Sequence, residues 1–306
     1  MLVEGKGWGA TRLPKSSTLG WGLRVAALKT SSVVIGLCLF TGVGDGCFAQ
    51  PASQTRSQPV GETASETVAH EVPEANPARP TVATPATLTP VGYLQFENGV
   101  LYATGFPGFS SRMGANQVTK LTVHPRLEFL VQSEPFVHSG LGPVRQFDPG
   151  DVLAGFQAVL FPGEKAKPTV AVSYFKHVYA GSAPDIDIGT PEHSLLLLIS
   201  NDMFGFHFDI NGWFNEQKDD RVRRAQFGQT VSISHPLKKF TIATELWHFT
   251  QPLTRGNAVG SLWCISYPVR KNLVVDAGFN RGLTGSSVTW QGFAGFTYLL
   301  PHKLWK

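Results

Sequence analysis

The chain has 306 residues, of which 16% are charged, well below the roughly 25% of ordinary soluble domains, while glycine (32 residues) and aromatics (11%) are plentiful. Its pI near 9.0 does not signal a nucleic-acid partner. Residues 1–50 hold five of the 26 basic and two of the 22 acidic residues, leaving 21 against 20 from residue 51 onward, and no basic patch is interleaved with aromatics.

The first element is a secretory signal. Lys29 precedes an apolar core from Val33 to Val43 that is too short to span a bilayer, and Cys47 and Ala49 supply the small residues at −3 and −1 of a cleavage site after Ala49 or Gln50. An uncleaved anchor is the alternative reading, and the long stretch ahead of Lys29 leaves the translation start open. Cys38 and Cys47 fall inside this segment, so Cys264 stands alone in the mature chain and no intramolecular disulfide is expected. Residues 51–90 contain seven prolines and no aromatic residue, the composition of a disordered linker. The expected division is therefore a signal over 1–50, a linker over 51–90 and one domain over 91–306.

From residue 92 the pattern has period two. In "FGFHFDINGWFNEQ", Phe204, Phe206, Phe208, Ile210 and Phe214 alternate with Gly205, His207, Asp209, Asn211, Trp213 and Asn215. A strand puts these sets on opposite faces, whereas a helix would smear both around its circumference. Candidate strands run over 92–104, 117–124, 126–138, 151–162, 169–180, 193–202, 204–215, 223–235, 239–250, 258–268, 272–283 and 287–300. Most have the length of a tilted strand crossing a hydrocarbon layer. Two match poorly: "SLLLLIS" is apolar on both faces, and "DVLAGFQAVLF" offers only Gln157 as a strong polar residue on its inward face.

No stretch beyond the signal reaches the length of an apolar membrane helix, so a membrane protein here has to be a closed barrel. Connection lengths point the same way. Short links ("HPR", "PGEKAKP", "DM", "HPLKK", "PVRKN") alternate with mostly longer ones ("GFPGFSSRMGANQ", "HSGLGPVRQFDPGD", "GSAPDIDIGTPEH", "NEQKDDRVRR", "QPLTRGNA", "TGSS"), as periplasmic turns alternate with external loops in outer-membrane barrels. Tyr179, Trp213, Phe214, Trp247 and Phe249 near one end, and Phe161, Phe240, Tyr267, Tyr298 and Trp305 near the other, fit paired aromatic girdles.

The stretch "DPGDVLAGFQAVLFP", the run of aromatic strands and the C-terminal "GFAGFTYLLPHKLW" resemble the outer-membrane transporter family associated with the meta-cleavage pathway of phenol degradation. The resemblance covers residue 90 to the end and follows a pattern rather than a strict motif. It implies a barrel that carries hydrophobic or aromatic small molecules. Gly150, Asp151 and Gly155 carry over as structural positions at the head of the fourth predicted strand. One departure is that the barrel assembly signal usually ends in an aromatic residue, whereas Trp305 is followed by Lys306.

The sequence thus predicts an all-β, transmembrane antiparallel β-barrel of about 12 strands in the outer membrane, preceded by a signal peptide and a disordered linker. Its expected function is passive transport of small hydrophobic or aromatic solutes, without catalysis, cofactor or metal. Outer-membrane lipid, the solute and the barrel assembly machinery are the expected partners. Candidate residues on the lumen side and the solute path are Phe175, His177, His207, Asp209, Asn211, Trp213, Glu245 and Phe293. Two alternatives stand beside this reading: a membrane-embedded hydrolase drawing on His207, Asp209 and Glu245, and a secreted soluble β-sandwich whose oily face packs on a second sheet. "SISHP" places Ser234 next to His235, but adjacent strand residues face opposite ways and make a poor nucleophile–base pair. Asp185 and Asp187 in a predicted external loop could bind Ca²⁺ or Mg²⁺ through oxygen, and Arg221, Arg223 and Arg224 could bind lipopolysaccharide phosphate; an ordinary solvated loop is the competing reading for both.

Overall fold

The computed structural model describes residues 73–305 apart from 80, 107, 165, 166, 187, 188, 220, 221, 254 and 255. The predicted signal and the first part of the predicted linker, with Asp187 and Arg221, therefore lie outside the described residues.

The described chain forms β1 (Leu94–Phe106), β2 (Phe109–His124), β3 (Leu127–Leu141), β4 (Val144–Asp148), β5 (Val152–Phe161), β6 (Thr169–Tyr179), β7 (His193–Met203), β8 (Phe206–Asp219), β9 (Val222–Leu237), β10 (Phe240–Gln251), β11 (Gly256–Arg270), β12 (Leu273–Gly282) and β13 (Trp290–Leu299). Sequential strands pair antiparallel, and β1 closes the ring on β13 with Gln95 opposite Leu299 and Thr104 opposite Trp290. The short β4 folds back on the far end of β3, pairing Val137 with Asp148 and Leu141 with Val144, while the rest of β3 pairs with β5. Twelve strands make the wall, and closure leaves no unpaired edge.

The two faces of this wall are inverted relative to a soluble protein. Gln95, Glu97, Glu128, Gln157, Asn211, Gln226, Glu245 and Asp276 are buried in the interior, while Val100, Phe129, Leu195, Ile210, Leu246, Ile265 and Phe296 stand exposed on the outside. Only a solvent that is itself apolar makes that exposure favourable, so the outer face is a lipid-contacting surface and the soluble-sandwich alternative is overturned.

Two-residue turns join the strands at one end, including 125–126, 204–205, 238–239 and 271–272. The Phe204–Gly205 turn has positive φ at both residues (56° and 79°), the geometry whose twist matches paired strands. This end is the periplasmic one by its mostly tight connections, the link over 162–168 being the longer exception. At the other end the structure departs from expectation. Residues 105–116, predicted as a loop, belong almost wholly to β1 and β2, and β4 lies in the predicted loop between the third and fourth strands. These hairpins project beyond the lipid belt, where an alternating apolar face is no longer required and the sequence signal fades.

The larger departure is inside. Residues 73–79 and 81–90, assigned by composition to a disordered linker, take a defined path into the lumen. The amide of Ala75 bonds to Lys271 O at a periplasmic turn, the segment climbs to Glu245 and Asn211 midway along the strands, and it returns to Glu128 near the periplasmic end before entering β1. Asn76 braces the two limbs by donating from Nδ2 to Thr87 O (3.1 Å). It is a re-entrant plug.

Candidate functional site: a chamber in the lumen

The plug has no secondary structure of its own, and prolines at 73, 77, 85 and 90 remove four potential backbone donors. The amides that remain must find acceptors, because an unpaired buried N–H is costly. The wall supplies them. Asn76 N donates to Gln95 Oε1, Ala78 N and Arg79 N to the Glu97 carboxylate, Val82 N and Ala83 N to the two oxygens of Glu245 (2.9 Å each), Thr84 N to Asn211 Oδ1 (2.6 Å), Ala86 N to Ser200 Oγ and Thr89 N to Glu128 (3.0 Å). Carboxylates that each take two consecutive amides are strong, charge-assisted clamps. The plug's apolar side chains are seated as well. Ala86 and Leu88 pack among Leu130, Ala171, Phe175, Leu196 and Leu198, and Val82 packs against Trp247 and Phe249.

This packing explains both anomalous strands. "SLLLLIS" is apolar on both faces because Leu195 and Leu197 meet lipid while Leu196 and Leu198, fully buried, meet the plug. Gln157, the lone strong polar residue on the inward face of β5, donates from Nε2 to Pro85 O (3.0 Å) and accepts from Ser173 Oγ.

Above the plug lies a cavity of about 430 Å³. Its floor is Ala78, Arg79, Thr81, Val82 and Thr84, and apolar wall is contributed by Leu101, Trp213, Trp247, Leu262 and Phe293. Trp213 meets Phe249 edge-on at 5.5 Å, so the aromatic side of the chamber is itself packed and fixed. Over it fold residues 180–186 and 189–192 of the external connection between β6 and β7. Ile186 reaches the apolar seat of Ala103, Phe109 and Val288 on the opposite wall, and Arg112 donates from Nε to Pro184 O (2.9 Å) while its guanidinium pairs with Glu134. The chamber is therefore bounded by a floor from the N-terminal segment and a lid from an external loop.

All eight residues expected on the lumen side point inward, but they fall into four groups. Trp213 and Phe293 line the chamber. Phe175, Asn211 and Glu245 are covered by the plug, and His207 and Asp209 sit near the periplasmic mouth, where His207 bridges Asp202 and Asp209. His177 is at the external side, bonded through Nε2 to Asp151 (3.0 Å). Trp247 and Phe249, assigned by sequence to the external aromatic girdle, instead point inward and cluster with Trp213, which the sequence placed in both the girdle and the lumen; they share the face of the buried Glu245 or of Asn211. The lid, the plug and Arg112 were not found by sequence reasoning. Isolated inward glutamates with no basic neighbour in the same strand were the available signal.

The Gly150–Asp151 turn at the head of β5 has a structural account. Asp151 Oδ1 accepts from His177 and from Gly181 N, Gly150 N donates to Glu134 O, and a Cβ on Gly155 would lie 2.6 Å from the Phe175 ring. Asp185 is occupied by Thr190, whose amide and hydroxyl both donate to it, and among the described residues no cluster of three or more metal-ligating side chains occurs. Ser234 faces inward and the exposed His235 bonds to Gly205 O, so the two do not meet. Ser200 Oγ donates to Asp209 and receives the plug's Ala86 amide, so its hydroxyl is engaged on both sides and meets a carboxylate rather than a histidine. Cys264 is a free, buried thiol.

No family model and no curated protein matches the chain. Solved structures do. An outer-membrane channel from Pseudomonas putida F1 aligns over 70% of this chain and 98% of its own with a TM-score of 0.51 at 11% identity. The KdgM porin aligns over 67% and 98% (TM-score 0.47, 11% identity), and the Salmonella typhi outer-membrane phospholipase dimer with bound calcium over 74% and 94% (TM-score 0.36, 8% identity). At 11% identity the likeness to the Pseudomonas putida channel shows the fold alone, in agreement with the closed, twelve-stranded antiparallel barrel described above.

Proposed function

We propose that the chain is a gated outer-membrane channel for small hydrophobic or aromatic solutes, and that it performs no chemistry. The observation that carries this reading is the chamber itself, a cavity of about 430 Å³ whose apolar wall (Leu101, Trp213, Trp247, Leu262, Phe293) sits between a floor and a lid that are each separate segments of chain. The apolar wall gives an aromatic or aliphatic body a place to rest, and the polar groups that share the lining, among them Glu97, Arg112, Gln132, Glu134, Asn280 and Gln291, suit a solute that is held weakly and released. The fold shared with the Pseudomonas putida channel supports transport, and the resemblance to the meta-cleavage transporter family favours aromatic cargo. Insertion by the barrel assembly machinery and residence in outer-membrane lipid belong to the same proposal. Against the hydrolase alternative stand the engaged Ser200 and the separated Ser234 and His235.

The test is uptake of a radiolabelled aromatic solute into proteoliposomes, comparing wild type with Trp213→Ala and Phe293→Ala. Both variants are expected to change the uptake rate of the aromatic solute while leaving heat-modifiable gel migration intact. Unchanged uptake in both would remove the chamber from the solute path.

A further inference from the structure

Arg79 is the only described cation of the plug, and its surroundings are built for it. The guanidinium lies over the inward face of β1 and β13 where Gly99 stands directly opposite Gly295. An added Cβ at Gly99 would fall 2.8 Å from Nη1 of Arg79 and closer still to Nη2 and Cζ, and one at Gly295 would fall 2.7 Å from Nη2. Nothing but bare backbone leaves room there for a planar group. One strand further, opposite Gly295, is Asp276, whose Oδ1 lies 3.6 Å from Nη2.

Two features make this a site rather than a packing detail. The first is charge. Glu97, which caps the amides of residues 78 and 79, is paired with Lys120, so withdrawal of Arg79 leaves Asp276 as an uncompensated buried anion. The second is incompleteness. Among the described residues neither oxygen of Asp276 receives a hydrogen bond, and Nε of Arg79 donates none. A freely placed guanidinium, not tethered to the plug backbone, is able to make the bonds that Arg79 misses.

We propose that Gly99, Gly295 and Asp276 form a guanidinium-binding seat in the lumen wall, filled in this structure by the chain's own Arg79 and open to competing planar organic cations when the plug withdraws. Arg79 is then a tethered ligand, and a solute or effector bearing a guanidinium or amidinium head competes with it for the same place.

The experiment uses full-length Arg79→Ala in planar bilayers and in detergent, with methylguanidinium as probe and tetramethylammonium and potassium as controls at matched ionic strength. Removal of a charge-assisted contact is expected to raise the open fraction about tenfold or more. Methylguanidinium in the millimolar range should raise the melting temperature of Arg79→Ala saturably and, in wild type, should raise the open fraction by displacing Arg79, whereas neither control ion should do either. In Arg79→Ala/Gly99→Ala, where the added Cβ occupies the vacated seat, and in Arg79→Ala/Asp276→Asn, the melting shift should disappear. Gly99 is chosen because its nearest neighbours are atoms of Arg79 alone, whereas Gly295 is also crowded by Asn98 O. Absence of a methylguanidinium-dependent melting shift in Arg79→Ala, or an equal shift with tetramethylammonium, overturns the proposal. The seat rests on the channel reading only for the conductance arm: a specific melting shift without any change in conductance upholds the seat and counts against the pore.

Discussion

Removal of one carboxylate is expected to loosen the plug without touching the wall. Glu245 is 1% exposed and its two oxygens accept the amides of Val82 and Ala83 at 2.9 Å each. In Glu245→Ala both amides lose their acceptor while Val82 stays buried against Trp247 and Phe249. Each buried, unpaired amide costs about 1–3 kcal/mol, so the docked plug is destabilised by about 2–6 kcal/mol. Water entering the space left by the side chain favours the lower end, and about 2 kcal/mol is a roughly thirtyfold shift in the docking equilibrium. The strand ladder of β10 is backbone to backbone and keeps its pairs with β9 and β11. The assay is single-channel recording beside a barrel lacking residues 73–89. Glu245→Ala should open in proportion to the shift, part-way towards the truncated barrel, with an unchanged heat-modified band. If the truncated barrel conducts and Glu245→Ala stays as closed as wild type, Glu245 is not an anchor. If truncation itself has no effect, the plug is not the obstruction.

Further outcomes follow from the other two surfaces of the molecule. Ile186→Asp should release the lid from Ala103, Phe109 and Val288 at a cost of about 1 kcal/mol, half the value for a fully buried aliphatic side chain, and raise accessibility of the chamber to an externally added thiol reagent at a cysteine placed at Leu101. No gain in labelling would assign the lid's hold to Arg112 and Pro184 instead. On the outer face, Leu246→Arg should destabilise the barrel in bilayers by about 2–4 kcal/mol, read by urea titration, because Leu246 is 60% exposed on the lipid side. The same change in stability in detergent and in bilayers alike would refute lipid contact at that position.

How much of this was legible in the sequence depended on whether the constraint was local. Strand existence was, because a wall with lipid on one side and polar groups on the other imposes period two on every crossing: Ala171, Ser173 and Phe175 inside alternate with Val170, Val172 and Tyr174. Strand ends beyond the lipid belt were not, since "SSRMGA" in β2 needs no apolar face there. The plug was illegible for a different reason. Its proline-rich, aromatic-free composition is that of a chain unable to bury enough apolar surface by itself, and it is ordered by groups elsewhere, Glu245 being 162 residues from Ala83. The misplaced girdle residues Trp247 and Phe249 show the converse error, where residue type was weighed above the parity that puts them beside Glu245. Nothing local marks Gly99 and Gly295, because the group they make room for, Arg79, belongs to another segment of chain.

Because both limbs of the plug cross the same mouth, beginning by the 271–272 turn and ending by the 125–126 turn, the loop is not threaded through the ring. A segment running from one mouth to the other would have to be in place before β1 met β13, or else be pulled through end first. A re-entrant loop has no such topological debt. It can be laid in after the seam has sealed, and it can back out along the route by which it came with every interstrand pair intact, so its order of arrival is not imposed by the closure of the barrel.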